Sequence, residues 1–397
     1  VANSITADFL EVWAREQQTV FHKANVAESV ADVSFNSVMS RGDTLNRPYR
    51  AALRPQAYVR GTDITIDDIT DTQEQLSVDS EYAMGIYLDA FDKIQSNYDL
   101  AASYGKDMGI YLANQVDADV LGEYSNASAT VDDGTLGGTA GQSISLTTSN
   151  VLSVFGEAKE ALMKANVPDT NLWACLSPDF ENVLTQYGAG RDTNMGDQGT
   201  MNGFFGNFYG FKLYRSNQLS GTAVLALATT PTDTDTVVIE GVTFTFVTVI
   251  GTTAGNVLIG GSADAARLNL TTLINAPGTT TAEGVALSAA NQRLFVNATA
   301  TNDAAANTMT LEFKGVGNLT VSETLTDVTD TWTATLTAQH CLFGAGGGTT
   351  LVMQQAPKLQ YKEEPKLTGG NILASVLYGY KTFTDGADRL VDVSVRF

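Results

Sequence analysis

The sequence predicts an α+β fold interrupted by an inserted, mainly-β domain. Two segments, 96–124 and 148–165, carry the 3.6-residue apolar period of helices, whereas short runs such as LWACL, FYGFKLYRS and RLVDVSVRF read as strands. From Ser220 to about Thr337 the composition shifts to threonine and alanine, and between Arg215 and Lys358 the only basic residues are Arg267, Arg293 and Lys314. A chain of 397 residues is long enough for two or three cores.

In chain order, residues 5–25 suggest an amphipathic helix with Phe9, Val12, Trp13, Val20 and Phe21 on one side. Residues 34–79 read as extended, with Pro48, Pro55 and alternation at Ile64, Ile66, Leu76 and Val78. So long a connection is usually functional or supported by a neighbour. A helix then starts near Ser96, with Asp99 in capping-box register, and runs to about Tyr124, roughly 40 Å at 1.5 Å per residue. Its stripe is Tyr104, Met108, Leu112, Val116 and Val120, with Gly105 and Gly109 beside it for a close approach. Thr148 or Ser149 is the expected cap of the next helix, with Val151, Val154, Phe155, Ala158, Ala161, Leu162 and Ala165 on one face. In SPDFENVL, Ser177 is a good N-cap and Pro178 fits the first turn. Core candidates in the threonine-rich segment are Val238, Phe244, Phe246, Val257, Ile259, Leu268, Leu270, Ile274, Phe295, Leu311 and Phe313. The chain closes with ILASVLYGYKTF and RLVDVSVRF, two strands across the turn TDGAD.

A net charge of −21 argues against broad attraction to nucleic acid or anionic lipid, and no apolar run approaches the roughly 20 residues of a membrane span. The chain therefore reads as soluble. Its start lacks the pattern of a secretion signal, and the valine fits loss of an initiator Met or processing. Cys175 and Cys341 lie in apolar strands, where reduced buried thiols belong, so a reducing compartment is expected.

The chemistry-bearing patterns are sparse. GAGGGTT at 344–350 lacks the spacing of a phosphate loop and reads as a glycine turn. His22 and His340 are the only histidines, and His340 adjoins Cys341 on a strand, where neighbours face opposite ways, so it is poorly placed as a base for that thiol. The acidic clusters at 63–71 and 233–235 read as solvated or ion-paired faces, not calcium sites. No catalytic residue, metal site or cofactor is predicted. The informative charge pattern is in the extended segment, where Arg41, Arg47, Arg50, Arg54 and Arg60 precede Asp63, Asp67, Asp68, Asp71 and Glu74. These arms suit either contact with an acidic neighbouring copy or a hairpin that neutralises itself.

In combination, TLNRPYR, YVRGTDITIDDI and QLSVD, then YDLAASYGKDMGIYLANQVDADVLGEY with Ala113 and Asp117, then WACLSPDFENVL, GNFYGFKLYRSNQL and YGYKTFTDGADRLVDVSVRF, resemble the tailed-bacteriophage major capsid (coat) protein family, whose shell fold is the Hong Kong 97 type. The resemblance covers 1–219 and about 338–397. It implies an N-terminal arm (1–40), an extended loop (41–80), a peripheral domain with the spine helix (81–145 and 358–385), an axial domain (146–220, 338–357 and 386–397) and an inserted β-rich domain (221–337). It further implies copies assembled as hexamers and pentamers of an icosahedral shell around double-stranded DNA bound without sequence specificity. Scaffolding and portal proteins and a possible decoration protein are the implied partners, with assembly in the host cytoplasm, residence in the virion capsid and no membrane. Intersubunit contacts are expected at the five arginines, at Asp63, Asp67 and Asp68, and at Phe9 and Trp13. Some family members crosslink through a loop lysine; no lysine lies between Lys23 and Lys93, so a noncovalent shell is expected.

Other classes remain. The threonine-rich segment would suit an adhesin or carbohydrate-binding protein, and the same fold could enclose enzyme cargo in a nanocompartment. A hydrolase would need more than these two histidines.

Overall fold

The computed structural model describes residues 25–39, 42–50, 55–64, 66, 71–91, 100–189, 206–363 and 368–397. The helix expected at 5–25, with Phe9 and Trp13, lies outside these residues. Two compact units are distinguished, and three of their boundaries fall inside continuous elements. Ahead of the long helix come α1 (Ala27–Val30), β1 (Thr44–Arg50), β2 (Asp71–Ser77) and β3 (Ser80–Leu88).

The first unit contains Ser80–Ala113 and Gln355–Tyr378. Helix α2 (Leu100–Leu121) contributes its first half here, with Met108 and Leu112 buried and Tyr104 at the surface. A Cβ on Gly105 would stand 2.7 Å from Leu359 Cδ2, so this glycine admits the neighbouring strand; Gly109 has open space and no such duty. Strand β3 pairs antiparallel with Gly370–Tyr378, from Leu88↔Gly370 to Ser80↔Tyr378. Ile372, Ala374, Val376 and Tyr378 are buried on alternate positions, the period of a strand with one packed face.

The second unit holds the rest, including the second half of α2. The expected peripheral segment 81–145 is thus divided inside that helix, because residues after Ala113 bond within the second unit: Asn114 accepts from Gln218 at 2.7 Å and Gln115 exchanges two hydrogen bonds with Asn297. Then follow β4 (Ala129–Val131), β5 (Ile144–Ser145), α3 (Val151–Lys164), β6 (Leu172–Leu176), α4 (Pro178–Ala189), β7 (Asn207–Phe208) and β8 (Phe211–Arg215). Ser177 Oγ accepts from Phe180 N at 3.1 Å, the expected cap of α4. At α3 the N-cap is Asn150, one residue beyond the expected positions, and its side chain instead accepts from Thr147 N. Phe155 of α3 meets Phe180, Phe208, Phe211 and Phe343 at centroid distances of 5.8, 4.8, 6.0 and 5.2 Å. Phe208 and Phe211 of the glycine-aromatic stretch are therefore core.

The threonine-rich segment begins with β9 (Ser220–Ala226) and continues through β10 (Thr236–Ile239), β11 (Val242–Val247), β12 (Asn256–Leu258), α5 (Ala263–Asn275), α6 (Ala289–Leu294), β13 (Ala298–Asp303), β14 (Thr308–Phe313), β15 (Val321–Thr324) and β16 (Thr331–Trp332). It rejoins at β17 (Ala338–Ala345), followed by β18 (Thr349–Glu363), β19 (Gly370–Thr382), α7 (Thr384–Ala387) and β20 (Leu390–Arg396). Strand β9 pairs with β14 on one side and with β17 on the other, so the insertion shares an eleven-stranded sheet with the surrounding fold and does not hang from a surface turn. A second sheet, ordered β12-β11-β10-β15, and α5 close its core.

Most of the expected core of this segment is buried, with two corrections. Val238 faces outward because Val237 pairs with Phe244 and Ile239 with Val242, which puts the odd positions inside. Leu268 is half-exposed because α5 buries Ala266, Arg267, Leu270 and Ile274, a helical stripe that passes it by. Arg267, buried against expectation for a charge, donates to Leu227 O, to Asn302 Oδ1 at 3.0 Å and to Asp264 Oδ1 at 3.0 Å.

The closing strands also differ from expectation. β19 belongs to the sheet β18-β19-β3, while β20 pairs with β17, β4 and β5. The two are consecutive but do not pair, because the one-turn helix α7 separates them. The glycine cluster is a turn between β17 and β18, held by Arg389, whose Nη1 donates to Gly346 O at 2.7 Å.

Candidate functional site

The extended segment is anchored at its base and bare at its tip. β1 and β2 pair from Thr44↔Ser77 to Arg50↔Asp71, which sets Arg47 opposite Glu74. The register is that of a self-neutralising hairpin, yet these two side chains bond elsewhere in the chain. Arg47 makes a bidentate bond to Asp385 at 2.8 and 2.5 Å and lies 5.1 Å from the Phe383 ring centroid, while Glu74 accepts from Thr384 N and Oγ1. Lys381 Nζ donates to Gln75 O at 2.7 Å, and Leu76 and Val78 are buried. Toward the tip, Tyr58, Val59, Ile64 and Ile66 are exposed, Tyr58 at 65% and Ile66 at 90%. Residues 55–64 are exposed throughout.

Of the proposed contact residues, Arg60 and Asp63 are exposed in this stretch, whereas Arg47 is committed to Asp385. Arg50 is placed by its backbone as the last residue of β1. Arg41, Arg54, Asp67, Asp68, Phe9 and Trp13 lie outside the described residues.

At the near end of the chain, Asp117 of α2 accepts from Val26 N at 2.6 Å and Ala27 N at 3.0 Å, capping α1. Burial pushes its carboxyl up to about 6, against the pull of those two N–H groups toward lower values, with Glu28 adding to the rise.

A polar hub that sequence patterning missed joins the insertion to the closing strands. His340 Nδ1 lies 2.9 Å from Asp392 Oδ2, its Nε2 lies 2.9 Å from Thr222 Oγ1, and Tyr124 stacks on the ring at 3.9 Å. Burial, with the Glu312 and Asp392 carboxylates, holds the Tyr124 phenol well above its ordinary value. The hydroxyl, imidazole and carboxylate are aligned as in a nucleophile relay. Tyr124, however, covers one face of a histidine that is itself buried, and Thr222 sits within a three-strand ladder. The hub fastens strands together. Cys341 points away from it and is buried, and burial pushes its thiol up to about 12, which leaves it un-nucleophilic.

Asp233 and Asp235 accept hydrogen bonds from Thr248 N, Thr232 N and Thr326 N. Among the described residues no group of three or more His, Cys, Asp or Glu is placed to hold a metal ion, and no helix is long and apolar enough to cross a membrane.

Comparison with known proteins gives a family and a fold. Residues 54–252 match the model of a family described as phage capsid protein. No curated protein sequence matches. Among solved structures, the chain is similar to one from Mycobacterium phage Che8 (13% identity, TM-score 0.60, 98% of both chains covered). It is similar also to the capsid of cyanophage P-SCSP1u (12% identity, TM-score 0.56, 100% of this chain and 95% of that one). A third likeness is to bacteriophage PhiM1 mature capsid (11% identity, TM-score 0.53, 98% and 92%).

Proposed function

The chain belongs to the phage capsid protein family, and from that premise we propose that its copies assemble as hexamers and pentamers of an icosahedral shell around double-stranded DNA. The fold is of the Hong Kong 97 type, the family is structural and not enzymatic, and its members associate with copies of themselves in the virion capsid. The observation that carries the finer reading is the apolar tip: Tyr58, Val59, Ile64 and Ile66 are exposed among the described residues, and in this reading a neighbouring copy covers them. The charge of −21 fits a shell that must pack and release DNA without holding it, since a basic lining would bind phosphate strongly.

The division into arm (1–40), extended loop (41–80), peripheral, axial and inserted (221–337) parts belongs to this reading. So do assembly in the host cytoplasm beside scaffolding and portal proteins, a noncovalent shell, and an outward-facing insertion open to a decoration protein. Electron microscopy of the expressed chain, with scaffold where needed, tests it. Wild type forms shells, and the double variant Ile64→Asp with Ile66→Asp stays unassembled while remaining folded. Normal shells from that variant would sink the role of the tip. Shells that run as single-chain bands in denaturing gels support the noncovalent reading, and ladders of linked chains overturn it. Glycan affinity without shells would favour the adhesin alternative, and enzyme cargo in place of DNA the nanocompartment.

A further inference from the structure

The first described residues of the chain, 25–32, are held in two places. Asp32 joins β18 through its backbone: its N–H donates to Thr349 O at 2.8 Å and its carbonyl accepts from Leu351 N at 3.0 Å. Before it, the only hydrogen bonds that 25–31 make outside themselves, among the described residues, are those of Val26 N and Ala27 N to the Asp117 carboxyl. Val26, Ala27 and Val30 are buried there, and Asp117 is 2% exposed. Among the described residues no cation stands against this carboxyl; the titratable groups that face it are Glu28 of α1 and the buried Cys175 thiol of β6. An ionised carboxylate shut away from water with two N–H donors and no counter-charge is costly. Protonated, it sheds the charge and keeps lone pairs that accept from both donors.

We propose that Asp117 is a proton-controlled clasp on the root of the N-terminal segment, which holds residues 26–30 tightly when protonated and loosely when ionised. Releasing the root opens the carboxyl to water and returns its titration from about 6 to the ordinary 3.8. The docked root thus binds the proton more tightly than the released one. By linkage the hold is greatest below about pH 4, falls from about 4 to about 6 and stays low above that, by roughly 100-fold in all. At neutral pH the root is therefore poised to leave, and the backbone pairing of Asp32 with β18, which does not titrate, marks where the motion stops. The clasp acts within one chain and does not depend on shell assembly.

Hydrogen–deuterium exchange of the unassembled chain from about pH 4 to about pH 7.5, read by mass spectrometry and corrected for the intrinsic pH dependence of amide exchange, tests it. Protection of residues 26–31 should fall by roughly 100-fold and level off above about pH 6, while that of residues 349–352 in β18 stays flat. Asp117→Asn, neutral at every pH, should abolish the fall, and Glu28→Gln, at an exposed position, should keep it. A flat wild-type profile, a fall shared equally by β18, a fall that persists in Asp117→Asn, or one that vanishes in Glu28→Gln overturns the clasp. If Asp117→Asn does not fold, the wild-type and Glu28→Gln profiles decide on the same terms.

Discussion

The insertion and the extended arm are both β-rich and both fall within the second unit, yet they treat apolar surface in opposite ways. The insertion buries Phe244, Phe246, Phe295 and Phe313 in a core of its own and gives even its buried cation, Arg267, internal acceptors. Among its described residues the arm buries only its root, Leu76 and Val78, and leaves Tyr58, Ile64 and Ile66 in water. A segment that satisfies itself can be added to a fold without changing what the fold assembles with. One that does not leaves apolar surface that, in the proposed shell, a neighbouring copy covers.

Four substitutions test this contrast, and their effects on the stability of the isolated chain should fall in order. Phe246→Ala opens a cavity in the insertion core and should cost about 3–5 kcal/mol, read by denaturant unfolding. If it costs less than about 1 kcal/mol, the insertion core is not the closed structure described here.

Asp117 comes next, through pH. Its folded carboxyl titrates near 6 while the unfolded value is 3.8, so the folded chain holds the proton more tightly. Its contribution to stability is therefore greatest where it is protonated, falls as pH rises from about 4 to about 6, and is lost above that, on the order of 3 kcal/mol in all. Asp117→Asn should flatten this part of the stability curve, measured by urea unfolding at several pH values. An unchanged slope would remove Asp117 as its source.

Arg47→Ala, at the arm's root, should cost about 1 kcal/mol, because the bidentate pair with Asp385 is about 40% exposed on each side and screened by solvent. Double-mutant analysis with Asp385→Ala isolates the pair. At the tip, Ile66→Asp should change stability by less than about 0.5 kcal/mol, since a side chain 90% exposed has little packing to lose. That smallest effect on folding should accompany the largest loss of assembly. A large drop in melting temperature would show that the tip packs within the chain after all.

Much of the frame was legible beforehand because it is local. The apolar stripe of α2 and the Ser177 cap with Pro178 behind it follow from residues within a few positions of one another. Boundaries between units were less legible. Whether 114–145 sides with one core or the other depends on Gln115 meeting Asn297 and Asn114 meeting Gln218, partners 182 and 104 residues away. The arm illustrates both cases. Its alternation at Ile64, Ile66, Leu76 and Val78 was visible as one pattern, but nothing local distinguishes the two exposed residues from the two buried ones.

By itself the sequence determined the α+β class, the helices and strands of the core, the change of composition at Ser220, the absence of a lysine from the extended loop and the excess of acid. Those depend on composition and on periods of 3.6 and 2, which short-range sterics impose on any chain. Tertiary structure alone decided that β9 belongs to two regions at once, that β19 and β20 enter different sheets, and that Arg267 is buried. It also decided that His340 finds Asp392 and Thr222. Each of these is a pairing across tens or hundreds of residues, set by strand order and register, and strand order is chosen by the packing of the whole sheet.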